Sequence, residues 1–163
     1  MHCKLVPLSD LHRTPVIDIF NHYIANSEAA FPDAPFPYAA FDHLLKLANG
    51  FPAYAVLTDE ERVAGFGMIR PHHPLPTFSG TAEISCFLHP DFCRCGAGSL
   101  LFGRLLEEGA KKGLTSLLAG ITATNEASLN FHRKHGFVEC GRFKSVFRKN
   151  GRDLDVVWMQ KML

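Results

Sequence analysis

The sequence predicts a mixed α/β fold with helices packed on a central sheet, and three observations carry that expectation. The 163 residues suit one domain, 1–163, with a single continuous core. Segments of helical and of strand period follow one another with short turns between them. A glycine-rich turn also joins an apolar strand to an amphipathic helix, Cys93 to Ala110.

Each element has a local reason. Lys4–Pro7 is a short first strand, and Ser9-Asp10 can cap the helix after it. Val16, Ile19, Phe20, Tyr23 and Ile24 recur on one helical face. Phe31 to Pro37 holds three prolines, which fix φ and remove donors, so no regular element continues there. A second helix fits Tyr38–Ala48, with Asn49-Gly50 as its stop. Ala53–Leu57 and Val63–Ile69, joined through Thr58–Arg62, read as an antiparallel hairpin, and Ala82–Leu88 as a further strand. Ser99–Ala110 is an amphipathic helix and Leu114–Ile121 a buried strand. Asn125–His135 is a helix stopped by Gly136. Phe137-Val138, Phe143–Phe147 and Leu154–Met162 then form a β-rich end around a turn at Lys149-Asn-Gly151. The predicted order is β-α-α-β-β-β-α-β-α-β-β.

Composition narrows the function. Apolar residues make up 47% and charged residues 20%, ordinary for a globular domain. The net charge is +1, without the basic surplus that phosphate neutralisation brings to nucleic-acid binders. No run approaches the roughly 20 apolar residues of a membrane span, and the opening residues have no apolar stretch of signal-peptide length. Cys3, Cys86, Cys93, Cys95 and Cys140 are odd in number and irregularly spaced, which suits reduced thiols and a cytoplasmic protein. Cys93 and Cys95 with His89, or with His72-His73, lack four ligands at a recognised spacing, so no metal is expected.

The chemistry concentrates in Glu83–Ala110. A glycine turn entering a helix points several backbone N–H groups and the helix dipole at one spot, which favours an anion such as a phosphate. Gly96 and Gly98 permit close approach and Arg94 adds charge. A Walker A loop is excluded, because no Lys-Ser/Thr follows at the required spacing, and a dinucleotide fingerprint lacks its third glycine. An ordinary strand-to-helix turn satisfies the same residues.

Two motifs in order decide between these readings. Ile84-Ser-Cys-Phe-Leu-His-Pro-Asp-Phe-Cys-Arg-Cys-Gly-Ala-Gly-Ser99 resembles the core strand and pyrophosphate loop of the GNAT superfamily of N-acetyltransferases, and Asn125-Glu-Ala-Ser-Leu-Asn-Phe-His-Arg-Lys-His-Gly-Phe137 resembles its second signature. Ile19-Phe-Asn-His-Tyr23, Thr81-Ala-Glu-Ile-Ser85 and Asp155-Val-Val-Trp-Met-Gln160 extend the likeness to the phosphinothricin acetyltransferase-like branch, over effectively the whole chain.

The resemblance implies a GNAT-type domain, acetyl-CoA as acetyl donor, and transfer to the amine of a small molecule, an amino acid or an analogue of the phosphinothricin or methionine sulfone type. It places Glu83 as general base, directly or through water, with a strand-capping glutamate as the plainer alternative. Backbone N–H groups around Phe87 and Leu88 would polarise the thioester carbonyl. Arg94, Cys95, Gly96, Ala97, Gly98 and Ser99 would hold the pyrophosphate, and Asn125 and Ser128 the cofactor arm, Asn125 being equally readable as a helix cap. His132 stands where many members carry a tyrosine that protonates the thiolate, and simple helix packing explains it as well. Arg70 and Phe31 would face the acceptor. The loop departs from the family pattern at Cys93, where Gln or Arg is usual, and before Glu83, where only Arg70-Pro71 of the branch's arginine and tyrosine set is retained. Cys86 or Cys93 as an acylated nucleophile is unnecessary for direct amine attack. Lys144, Arg148, Lys149 and Arg152 read as a solvated basic turn, with contact to the cofactor's outer phosphate as the alternative. A protein or peptide N-acetyltransferase and a non-catalytic acyl-CoA sensor remain alternatives, and the branch suggests a homodimer.

Overall fold

The computed structural model describes residues 2–163. Its elements are β1 (Cys3–Pro7), α1 (Arg13–Asn26), α2 (Ala40–Leu47), β2 (Ala53–Thr58), β3 (Val63–Pro71), β4 (Thr81–Leu88), α3 (Ala97–Lys111), β5 (Ser116–Thr122), α4 (Glu126–Lys134), β6 (Val138–Lys149) and β7 (Arg152–Met162). Their order is the one the sequence predicts. The strands form one seven-stranded sheet, β1-β2-β3-β4-β5-β7-β6. Every neighbouring pair is antiparallel except β4 and β5, which run parallel because α3 crosses over between them. No helix among the described residues is long and apolar enough to cross a membrane.

Helices cover both faces. On one, Val16, Ile17 and Ile19 of α1 and Phe41 of α2 pack with Phe66 of β3. On the other, Leu101, Phe102 and Leu105 of α3 are fully buried against Ile69, Ile84, Leu117 and Phe137. Burying such side chains stabilises by about 1.5–3 kcal/mol each. The proline-rich stretch after α1 runs without regular structure, as its composition demands, and Asn21 holds it down. The Asn21 Nδ2 donates to the Phe36 carbonyl at 2.9 Å and its Oδ1 accepts the Phe36 N–H at 2.8 Å.

The feature that makes a site is a gap in the sheet. β4 and β5 pair only at Thr81↔Ser116, Ala82↔Leu117 and Glu83↔Leu118. Beyond Glu83 the two strands part, so the edge of Ile84–Leu88 that faces β5 has no strand partner.

Two expectations at the C-terminal end need correction. The segments Phe137-Val138 and Phe143–Phe147 are not separate strands, because Val138–Lys149 is one continuous strand. Register shifts at Glu139/Gly141 and Phe143/Phe147 interrupt the ladder with β7, and Ser145, at φ +49°, gives its N–H to Asp155 Oδ1 at 2.8 Å. The turn is at Asn150-Gly151, both with positive φ (52° and 73°) as a type I′ hairpin requires. Lys149 does not belong to a solvated basic turn. It is 3% exposed, and its Nζ donates to the Ala30 carbonyl at 2.7 Å, because residues 27–33 lie across it.

Candidate active site

Strand alternation assigns the two faces of β4 different work. Ala82, Ile84, Cys86 and Leu88 pack toward α3, while Phe87 packs toward α1. On the α1 side, register with β3 creates three cross-strand pairs: Phe66↔Phe87, Met68↔Ser85 and Arg70↔Glu83. The Phe66 and Phe87 rings stack at 5.7 Å, and Phe20 meets Phe87 edge-on at 4.9 Å. At the charged end, Arg70 Nε and Nη2 donate to Glu83 Oε2 at 3.1 and 2.6 Å. The His72 Nδ1 lies 3.0 Å from Glu83 Oε1, an N–H donating to a carboxylate that can only accept. The Glu83 side chain is 17% exposed. Above this floor is a cavity of about 430 Å³, lined also by Phe20, Leu44, Leu47, Phe31, Pro32 and Trp158. Arg70, Glu83 and Phe31, expected from the sequence, all line it.

A second cavity of about 350 Å³ occupies the gap between β4 and β5. The His89 N–H bonds the Ala64 carbonyl of β3 at 2.8 Å, and alternation therefore turns the backbone groups of Leu88, Cys86 and Ile84 toward the gap. The Phe87 amide faces β3. This refines the expectation that Phe87 and Leu88 both offer N–H groups: Leu88 does so, and Phe87 lines both cavities with its ring. The Leu88 carbonyl is taken by the Tyr23 hydroxyl at 2.7 Å. Burial, with Cys93 alongside, pushes that phenol up to about 12, so it stays a hydrogen-bond donor.

At the mouth of this second cavity the loop after β4 passes through left-handed conformations at Arg94 (φ +66°) and Gly96 (φ +91°) before α3 begins. Such a turn gathers N–H groups at the positive end of a 15-residue helix. Arg94 and Gly98 line the cavity, whereas Cys95, Gly96, Ala97 and Ser99 build the turn behind it. The Ser99 hydroxyl pairs with His135 Nε2 at 3.3 Å. A Cβ on Gly98 would stand 3.1 Å from Leu88 Cδ1, so glycine is what lets the start of α3 lie this close to β4. Across the gap, Asn125 caps α4 through Oδ1 and the Ser128 N–H at 3.2 Å, which leaves its NH₂ directed elsewhere; both residues line the cavity. A phosphorylated, extended acyl carrier fits these groups: amides at one end, an unpaired strand edge along the middle.

His132 also lines this cavity, 7% exposed and ringed by Phe102, Phe131 and Phe137. Its Nδ1–H donates to the Ser128 carbonyl at 2.8 Å. Burial holds its pKa below the ordinary histidine value. The neutral ring thus has its one proton on Nδ1 and none on Nε2. Burial likewise pushes the Cys86 thiol up, away from the thiolate a nucleophile needs. Among the described residues, no group of three or more His, Cys, Asp or Glu could hold a metal ion.

The two cavities adjoin, sharing Ala29, Ile84, Ser85, Phe87 and Gly120. Tyr23, His72 and Trp158 belong to the site without having been placed there by the sequence. Tyr23 reads as core and meets Leu88 only through folding. Trp158 reads as core or interface, and its β7 register opposite Gly120 sets it in the wall of the first cavity.

Comparison with known proteins agrees with this architecture. Residues 16–137 match the model of the acetyltransferase (GNAT) family. A phosphinothricin N-acetyltransferase of Streptomyces coelicolor is 32% identical over 153 residues, 91% of this chain and 90% of that protein. An L-amino acid N-acyltransferase of Escherichia coli is 32% identical over 154 residues, 91% of this chain and 87% of its own. An acetyltransferase from Salmonella typhimurium, solved with its cofactor acetyl-CoA, superposes with a TM-score of 0.90 at 25% identity and covers 100% of this chain and 95% of that one. With its split sheet, amide-lined loop and adjoining cavities, the chain belongs to the acetyltransferase (GNAT) family and is an acetyl-CoA-dependent N-acetyltransferase.

Proposed function

We propose that the protein acetylates the primary amine of a small molecule, an amino acid or a close analogue, by direct attack with Glu83 as general base. One observation carries this reading: the Glu83 carboxylate lies in the acceptor cavity beside the junction with the donor cavity, held from two sides by Arg70 and His72. The small-molecule substrates named for the Streptomyces and Escherichia relatives point the same way. A cavity of about 430 Å³ lined by Leu44, Leu47, Phe31 and Pro32 has the volume of a small-molecule site.

Acetyl-CoA supplies an activated acyl carbon on a thioester. An ammonium group cannot attack it, so Glu83 takes the proton, directly or through one water. Arg70 and His72 fix the carboxylate's rotamer, which keeps its basic oxygens aimed at the amine. The backbone amides of Leu88 and Cys86 on the free edge of β4 polarise the thioester carbonyl. The N–C bond forms, the C–S bond breaks, the second proton shed by the new amide nitrogen passes to solvent, and solvent supplies the proton that the thiolate takes up. In this scheme His132 shapes the donor cavity, because its proton is committed to Ser128. Arg94 and the amides of residues 95–99 hold the pyrophosphate, while Asn125 and Ser128 hold the arm. The five free cysteines suit a reducing compartment, the cytoplasm.

Glu83→Gln tests the assignment, because it keeps the shape and removes the base. The kcat is expected to fall about 10²–10⁴-fold with donor affinity unchanged. An unaltered kcat removes Glu83 from the chemistry. A wild-type protein that binds acetyl-CoA yet acetylates no amine in a broad panel is an acyl-CoA sensor instead.

A further inference from the structure

Resting on that reading, we infer that the acceptor is an α-amino acid with a bulky apolar side chain, and that polar or anionic side-chain analogues such as phosphinothricin are poor substrates. The three cross-strand pairs on the cavity floor grade from charged to apolar: Arg70↔Glu83, then Met68↔Ser85, then Phe66↔Phe87. A zwitterion matches the charged end. A guanidinium has five N–H groups, and Glu83 takes one from Nε and one from Nη2. Those that remain can hold an α-carboxylate while Glu83 faces the α-amine. The pair is already neutral by itself, so it accommodates one positive and one negative group and no third charge.

The space beyond the charged end is apolar. Beside the charged pair, its polar lining side chains are Ser85 and Trp158, and the Trp158 indole stands next to His72 at the charged end, 6.5 Å between ring centroids; the rest of the floor and wall includes Phe20, Leu44, Leu47, Phe66, Met68 and Phe87. The basic groups nearby are committed. His72 gives Nδ1 to Glu83 at 3.0 Å, and Lys149 gives Nζ to Ala30 from behind the loop, outside the lining. A phosphinate on the side chain would therefore bring a charge that no lining cation answers. Sulfonyl oxygens would lose water and find only the Ser85 hydroxyl and the Trp158 indole N–H as side-chain donors beyond the charged pair.

The test is the kcat/KM for thiol release along alanine, 2-aminobutyrate, norvaline and norleucine, with three further comparisons: methionine against methionine sulfone, norleucine against pentylamine, and methionine against phosphinothricin. Each buried methylene is expected to raise kcat/KM about fourfold, about 60-fold from alanine to norleucine. Methionine should exceed its sulfone by about tenfold to a hundredfold, and pentylamine, which lacks the carboxylate, should fall at least about tenfold below norleucine. Met68→Gln, which puts an amide into the apolar floor, should raise the sulfone-to-methionine ratio about tenfold. That ratio does not depend on how much of the variant folds. A flat chain-length series, a sulfone or phosphinothricin equal to methionine, or an unchanged ratio in Met68→Gln overturns the inference. Release with polyamines or peptides but with none of these amino acids overturns it and leaves acetyl transfer standing. Silence with every amine overturns the underlying reading as well.

Discussion

Residues 29–32 wall the acceptor cavity, and Ala29 borders both cavities, yet this stretch belongs to no helix or strand. It is held at Glu28. The Thr122 hydroxyl donates to the Glu28 carbonyl at 2.6 Å, Thr124 Oγ1 donates to Glu28 Oε2 at 2.6 Å, and Arg152 Nη1 to Oε1 at 2.9 Å. Thr122→Val isolates the first of these. Valine matches threonine in shape, and Thr122 is 1% exposed, so no water replaces the lost donor without movement. An unsatisfied buried carbonyl costs about 1–3 kcal/mol. If the segment stays docked, the whole fold carries that loss. For a chain of this size each kcal/mol moves Tm by about 2–4 °C, giving a fall of about 2–12 °C. If the segment instead detaches locally, Tm is nearly kept and the acceptor KM rises by about fivefold to a hundredfold. Differential scanning calorimetry and steady-state kinetics at saturating donor separate the two. A Tm within about 1 °C of wild type together with an acceptor KM within about twofold would refute the view that this bond holds the cavity wall.

Other consequences are equally direct. Burial lowers the pKa of His12 and of His132, so the unfolded chain binds protons more readily than the folded one. Their contribution to stability is complete above about pH 6.5 and drains as the pH falls through the depressed folded values. Thermal melts should therefore decline on the acid side of neutrality before carboxylates titrate, and His132→Gln should flatten part of that slope. Gly98→Val sets a branched side chain where even a Cβ would lie 3.1 Å from Leu88, and the donor Kd measured by calorimetry should rise at least about tenfold with the acceptor KM at saturating donor unaltered. β6 is a 12-residue edge strand with Val138, Phe143 and Val146 more than half exposed. We propose it as the seam of a homodimer. Light scattering should give twice the chain mass for the wild type and a monomer for Phe143→Lys/Val146→Lys. A monomeric wild type discards the seam.

What the sequence revealed and what it hid divide by range. The element order follows from local period, from the prolines at 32, 35 and 37, and from Asn150-Gly151, signals that need no partner to be read. Glu83, Gly98 and Asn125 were legible because motif spacing carries them. Trp158 was not, since only the insertion of β7 between β5 and β6 sets it opposite Gly120. Nor was Tyr23, whose hydroxyl partner lies 65 residues away at Leu88. Lys149 misled for the same reason: a lysine beside a hairpin turn reads as solvated until residues 27–33 cover it. The continuity of β6 was hidden by Gly141 and by the irregularity around Ser145, which mimic a break in the alternation.

The parity of β4 has an evolutionary consequence. In the proposed scheme Glu83, Ser85 and Phe87 would meet the acceptor through side chains, whereas Ile84, Cys86 and Leu88 would meet the donor through main-chain groups that every residue except proline possesses. Codons for Ser85 and Phe87 can thus drift toward new amines, with Glu83 kept as the base, while the even positions continue to serve the same thioester. One strand carries both a variable script and an invariant one, interleaved at a spacing of one residue. Descendants of such a gene could diversify in what they acetylate without relearning how to hold the acetyl group.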